Sequence, residues 1–377
     1  MNEIQRYLAT EIAENCDQGQ ISRPEALRRL QLMGLSAAVA LSLLGGCSSD
    51  GDDAGAMPAM STSGAMPSTP STPSDNTAPG SNTAPGSNTP PPGVASPSAT
   101  EGNPVPSGLP MASEGGNPPS MGTGEGMAPS QAMPPSADAP DPAVSGPGMG
   151  LPTEAITFAG PNGPLQGAFA AAPNPRGAVL VIHENRGLND HIRTVVGRFA
   201  AAGFTAIGLD LLSEEGGSAT FTEAEVPGQL GMVSMNAPGR FLADMQACLD
   251  ELERRAPGAK LGAVGFCFGG GMMWQLIASG DPRLAAVAPF YGTPPANADF
   301  TGSSAAVLAF YGETDMRVNA TRDAATAALV AAGLTHEVVT EPGAAHAFFN
   351  DTGANYNPAA AADAWARVLA WFHEHLS

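Results

Sequence analysis

Residues 151 to 377 predict an α/β fold with a mainly parallel, doubly wound sheet. Short apolar runs alternate with stretches of helical period, a Gly-rich turn joins one such run directly to a helix, and about 227 residues are ample for one domain. A β pair leads, around Ala155 to Phe158 and Leu165 to Ala171. The apolar run Ala178 to Ile182 reads as a buried strand, and Asp190 to Ala202 as the helix that follows. Strand Phe204 to Leu209 comes next, then a helix over Arg240 to Arg255. Leu261 to Val264 is a strand that enters Gly265-Phe266-Cys267-Phe268-Gly269-Gly270, and Met272 to Ile277 is helical. Strands Leu284 to Phe290 and Ala305 to Tyr311 follow, then a helix over Val318 to Ala332 and a strand over Thr335 to Thr340. A last helix runs from Ala359 to His375, where His373 and His375 favour the helix dipole.

The turn around Cys267 is the first chemical signal. A G-x-nucleophile-x-G turn between strand and helix needs small residues on both sides, because the nucleophile's backbone is strained and the two elements approach closely. Here a cysteine stands where a serine is usual. A buried small hydrophobe is the alternative reading, and partners elsewhere decide between the two. Asp315 lies just past the run Ala305 to Tyr311, and His346 lies in a loop after the last strand pattern. Nucleophile, acid, histidine is the chain order of α/β-hydrolases. Asp315 also reads as a turn residue or as the N-cap of the helix that follows. Of the other histidines, only His183 lies near a strand's carboxyl end.

Several separate motifs resemble the dienelactone hydrolase (carboxymethylenebutenolidase) family. They are Val181-Ile182-His183-Glu184-Asn185-Arg186-Gly187-Leu188, Asp190-His191-Ile192-Arg193, Asp210-Leu211-Leu212, the Cys267 turn, Tyr311-Gly312-Glu313-Thr314-Asp315 and Pro342-Gly343-Ala344-Ala345-His346-Ala347-Phe348. The resemblance covers roughly residues 151 to 377 and implies an α/β-hydrolase with a Cys-Asp-His triad and no metal or organic cofactor. It implies Cys267 as nucleophile, Asp315 as acid and His346 as base. It also implies Glu184 as a glutamate that contacts the resting thiol and helps to activate it when substrate arrives.

Chemistry supports these assignments independently. An ordinary thiol is mostly protonated near neutrality, so Cys267 needs His346 beside it and gains from the helix N-terminus. Two backbone N–H groups, at Phe268 and Asn185, are the expected oxyanion donors. The expected substrate is a small ester or lactone, with a thioester or activated amide as the alternative. A binding module with an idle triad is the reading from outside the enzymes. Relatives that cleave dienelactone grip its carboxylate with two arginines, whereas the corresponding neighbourhoods here read Asp210-Leu211-Leu212-Ser213-Glu214-Glu215 and Phe348-Phe349-Asn350-Asp351. Carboxylate-bearing dienelactone is therefore expected to be a poor substrate. Arg186 and Arg317 remain beside the motifs as candidate substrate-binding cations.

Residues 1 to 47 read as an export signal. Arg28-Arg29 precede an apolar stretch from Met33 to Leu44 that is too short to span a bilayer, and Leu44-Gly45-Gly46-Cys47 resembles a lipobox whose cysteine becomes lipidated. The unusual feature is the acidic start, with Glu3, Glu11, Glu14 and Asp17. Residues 48 to 150 carry nine acidic residues and no Lys, Arg, Phe, Trp or Tyr, a composition that predicts a disordered linker. The reading is an exported, membrane-anchored lipoprotein, periplasmic or on the cell surface, of unknown oligomeric state. A net charge of −20 disfavours nucleic acid as a partner. Cys248 sits on a helical pattern and reads as core.

Overall fold

The computed structural model describes residues 1–45 and 150–377. Cys47 and the expected linker as far as residue 149 lie outside the described residues. An eight-stranded sheet carries the fold: β1 (Glu154–Ala159), β2 (Pro164–Ala170), β3 (Gly177–Ile182), β4 (Phe204–Leu209), β5 (Leu261–Phe266), β6 (Leu284–Phe290), β7 (Ala306–Gly312) and β8 (His336–Glu341). Their order across the sheet is β1-β2-β4-β3-β5-β6-β7-β8. The β1–β2 and β2–β4 pairs are antiparallel, and every other pair is parallel. All residues of β3, β4, β5 and β7 are buried, as strands covered on both faces must be.

The helices of this body are α4 (Asp190–Ala201), α5 (Val226–Asn236), α6 (Arg240–Arg255), α7 (Phe268–Ala278), α8 (Met316–Ala331) and α9 (Pro358–Leu376). The step from β3 to β4 runs one way across the sheet, and the step from β4 to β5 runs the other way. Right-handed crossovers therefore put α4 and α6 on opposite faces. Phe199 of α4 meets Phe372 of α9 at 5.8 Å between ring centres, while Phe241 of α6 meets Phe268 of α7 at 5.7 Å. The order in which strands are added across the sheet reverses at the parallel pair β3 and β5, whose carboxyl ends form the crevice where open α/β sheets bind ligands.

Most expected elements are present with bounds shifted by a few residues. Helix α5 was not expected. Its sequence, with Pro227, Gly228 and Gly231, has weak helical propensity, and tertiary packing supplies what propensity lacks.

Residues 1–45 form three helices, α1 (Glu3–Asp17), α2 (Arg23–Leu32) and α3 (Ala37–Leu43). A capping box between Asn2 and Gln5 starts α1, and Ser22 and Ser36 cap the other two. Leu8, Ala9, Ile12, Ala26, Leu30 and Met33 are buried in the same apolar core as the sheet domain, against α5. Within the stretch Met33 to Leu44 only Ala37–Leu43 is helical. No helix among the described residues is long and apolar enough to cross a membrane.

Candidate active site

Cys267 stands between the last residue of β5 and the first of α7, with φ 55° and ψ −114°. That left-handed backbone is strained for any residue with a side chain, and the surroundings must hold it in place. Gly265 and Gly269 make the turn possible. A Cβ on Gly265 would lie 2.2 Å from the Gly269 carbonyl oxygen, and one on Gly269 would lie 2.4 Å from that of Ile182. The Cys267 N–H donates to the Phe290 carbonyl at 3.0 Å. Phe268 is the first residue of α7, and its N–H belongs to the turn that has no intrahelical acceptor.

His346 is buried in the loop after β8, and its Nδ1 lies 2.6 Å from Asp315 Oδ2. Both readings of Asp315 hold together: Oδ2 meets the imidazole while Oδ1 accepts the Val318 N–H at 3.2 Å as the N-cap of α8. Burial pulls the His346 pKa down, but the Asp315 carboxylate outweighs it and the net shift is upward. Burial likewise opposes ionisation of Asp315, yet the His346 charge and hydrogen bond bring its pKa below the usual carboxylate range. His346 Nε2 is buried without a hydrogen-bond partner among the described residues. It belongs to a group with Cys267 Sγ and a Glu11 carboxylate oxygen, all within 4.8 Å of one another. An oxygen, a thiol sulfur and an imidazole nitrogen are a donor set that a borderline-soft metal ion accepts.

His183 is committed elsewhere. Its Nδ1 lies 2.6 Å from the Glu184 carbonyl oxygen, and its Nε2 accepts the Leu211 N–H at 3.2 Å. Both nitrogens are engaged, so this ring tethers the β3 and β4 loops.

The expected contact between Glu184 and the thiol is not made. Asn350 Nδ2 donates to Glu184 Oε2 at 2.6 Å, and the Tyr291 hydroxyl donates to Oε1 at 3.4 Å. The thiol instead donates to Glu11 Oε1 of α1 at 3.2 Å, and the Tyr7 hydroxyl of α1 donates to Sγ at 3.5 Å. Asn185 Nδ2 donates to the same Glu11 oxygen at 2.6 Å. Burial pushes the Cys267 thiol well above its ordinary pKa, and Glu11 and then Glu184 add to the shift.

The two candidate substrate-binding arginines differ. Arg186 is half exposed and pairs with Glu223 at 2.8 Å. Arg317 is largely buried, with Nε 2.6 Å from Glu14 Oε2 and its guanidinium 4.7 Å from the centre of the Tyr7 ring. The acids after β4 are not uncompensated: Glu215 makes a two-pronged pair with buried Arg240 of α6 at 2.6 and 2.7 Å, and Glu214 lies 3.5 Å from it. Cys248 is fully buried in α6, as its helical pattern implied.

Among the described residues, spaces of very different size adjoin these groups. One, reaching Cys267, Glu184, His346 and Glu11, holds about 40 Å³. Another, about 540 Å³, is lined by Tyr7, Phe268, Met272 and Arg317 among others. Tyr7, Glu11 and Glu14 were not identified as site residues from the sequence. Their signal was the acidic start of the chain, with spacing that puts all three on one helix face.

The family model described as "Dienelactone hydrolase family" matches residues 165–376. A protein of Escherichia coli O157:H7 assigned as a carboxymethylenebutenolidase is 32% identical over 245 residues, which cover 59% of this chain and 89% of the relative. A protein of Methylorubrum extorquens with the same assignment is 31% identical over 227 residues, covering 56% and 77%. The crystal structure of a Klebsiella pneumoniae protein assigned as a dienelactone hydrolase superposes with a TM-score of 0.53 at 29% identity, covering 58% of this chain and 97% of that one.

Proposed function

Because the chain belongs to the dienelactone hydrolase family and is a hydrolase acting on ester or lactone bonds, we propose that it works through a cysteine acyl-enzyme with Cys267 as nucleophile. The observation that carries this reading is the strained backbone of Cys267 at the β5–α7 turn, within 4.8 Å of an imidazole that Asp315 holds. His346 Nε2 takes the thiol proton, and the sulfur attacks the carbonyl carbon while the C=O electron pair moves to oxygen. The Phe268 and Asn185 N–H groups stabilise that oxyanion. Collapse breaks the C–O bond, and the imidazolium returns its proton to the departing alkoxide. Water, deprotonated by His346, then attacks the thioester to release the acid and restore the thiol. Asp315 keeps Nδ1 protonated and stabilises the imidazolium. Asn350 and Tyr291 keep Glu184 in place beside the site.

Paired arginines, the short apolar stretch and Leu44-Gly45-Gly46-Cys47 support export of this hydrolase as a lipoprotein, with Cys47 lipidated. The deciding experiment is a screen of chromogenic esters, lactones and thioesters with wild type and Cys267→Ala. Hydrolysis that disappears in the variant is the expected result, and full activity in Cys267→Ala overturns the mechanism.

A further inference from the structure

Helix α1 reaches the thiol that the proposed mechanism uses and side chains around it. Glu11 bonds the thiol and the Asn185 side chain, Tyr7 bonds the thiol from a second direction, and Glu14 pairs with Arg317. A ligand pocket for a small ester needs several hundred cubic ångströms. The space left at Cys267 is about 40 Å³, room for little more than a water molecule. Cys267 is 2% exposed, with α1 over it.

The docking is a built contact rather than a loose cover. Leu8 and Ile12 sit in the common core, the Asn2 side chain donates to Ser234 of α5 at 3.2 Å, and Glu3 accepts the Ala296 N–H at 2.5 Å. Gln20, after α1, donates to Asn355 at 3.0 Å in the loop that also receives His346. The family match begins at residue 165, so these helices are an addition to a domain whose match already spans most of its relatives' length. The Glu11 carboxyl stands beside the thiol and accepts from it and from the Asn185 side chain. Its second oxygen is buried without a hydrogen-bond partner among the described residues, a polar cost that favours release.

We propose that the cleft over Cys267 is a helix-binding site whose occupant is the chain's own residues 1–45, with α1 seated over the thiol as an inhibitor that keeps the hydrolase latent until the segment is removed. This rests on Cys267 being the nucleophile only for its effect on turnover, because the occlusion itself is independent of chemistry. If the export reading holds, the cut at the lipobox that frees Cys47 also separates the inhibitor from the enzyme. Latency then ends where the protein is delivered.

The test uses the full chain with a site-specific protease sequence inserted after Thr100, so that the hydrolase folds with α1 present and is cut afterwards. Two versions are compared, one with the native segment and one carrying Leu8→Asp and Ile12→Asp, whose α1 has lost its apolar face. Iodoacetamide labelling of Cys267 is followed by peptide mass spectrometry, and turnover is followed with p-nitrophenyl acetate. Uncut native protein is expected to label and turn over at least tenfold more slowly than cut protein freed of the segment by gel filtration. Cut protein with the substituted segment should match the freed form without separation. Returning the native fragment should raise KM with kcat unchanged. Equal labelling in native uncut and freed protein overturns the inhibitor, whatever the turnover. Faster labelling on release with no ester hydrolysis supports occlusion and counts against the nucleophile reading instead.

Discussion

Asp315 serves two structures at once, which makes its two roles separable by substitution. Asp315→Asn keeps a good N-cap for α8 but removes the anion beside His346, so kcat should fall by about 10²-fold or more, with a smaller drop in Tm than for the variant that also loses the cap. Asp315→Ala loses the cap as well, about 1 kcal/mol, and should lower Tm by roughly 2–4 °C. His346→Ala should cost at least as much turnover as Asp315→Asn, because it removes the group that carries the proton. Steady-state kinetics and thermal melts on the three variants check this. A drop in Tm for Asp315→Asn equal to that for Asp315→Ala would mean that the imidazole contact, not the cap, holds α8.

The same pair makes a pH-dependent contribution to stability whose sign follows from the two shifts. His346 is raised, so its contribution is full below its unfolded pKa of about 6.5 and is lost as pH rises through the folded value. Asp315 is lowered, so its contribution is full above about 3.9 and is lost as pH falls through its folded value. The difference in Tm between wild type and His346→Ala should therefore be largest between about pH 4 and 6.5. It should shrink on further titration to alkaline pH. A difference that grows toward pH 9 would contradict the pairing.

At the scale of elements, β8 ends in a liability. Glu341 is buried, its Oε1 has no hydrogen-bond partner among the described residues, and burial, with Asp363 nearby, raises its pKa to about 7. A carboxyl raised in the folded state favours the fold while it stays protonated. The penalty for ionising it grows as pH rises from its unfolded value to its folded one. Glu341→Gln should thus raise Tm by a few degrees (~2–5 °C) at pH 8 and by little at pH 4. Melts at the two pH values decide it, and an equal gain at both would point to packing rather than charge.

Element α5 illustrates a second kind of dependence. Val226, Leu230 and Val233 are buried, and a Cβ on Gly228 would lie 3.2 Å from the Leu32 carbonyl oxygen. The helix is packed against the amino-terminal segment on a side that a free domain would leave open. Its glycines leave room for that close contact and weaken it as an isolated helix.

For the whole molecule, the proposed lipid anchor and the proposed latch make a joint prediction. Expressed in a Gram-negative host, wild type should fractionate with membranes, and Cys47→Ala should not. The Cys47→Ala protein should also keep residues 1–46 and remain slow to react with iodoacetamide at Cys267. A soluble wild type would remove the anchor. A Cys47→Ala protein that labels as fast as the processed form would separate delivery from latency.

The sequence alone determined the alternating sheet and helix order, the turn at Cys267 and the positions of Asp315 and His346. These are local signals: apolar runs of strand length, glycines flanking one residue, and an acid and a histidine just past strand ends. Only the tertiary structure decided which carboxylate meets the thiol. Glu184 and Glu11 are 173 positions apart, and the choice depends on Asn350 and Tyr291 drawing Glu184 away while α1 brings Glu11 in. It likewise decided that Glu214 and Glu215 are compensated, because Arg240 reaches them from the next helix after α5. Periodicity reports which face of a segment is apolar, and α1 has such a face. It does not report what that face packs against, since burial is a property of two surfaces and the second lies more than 200 residues away.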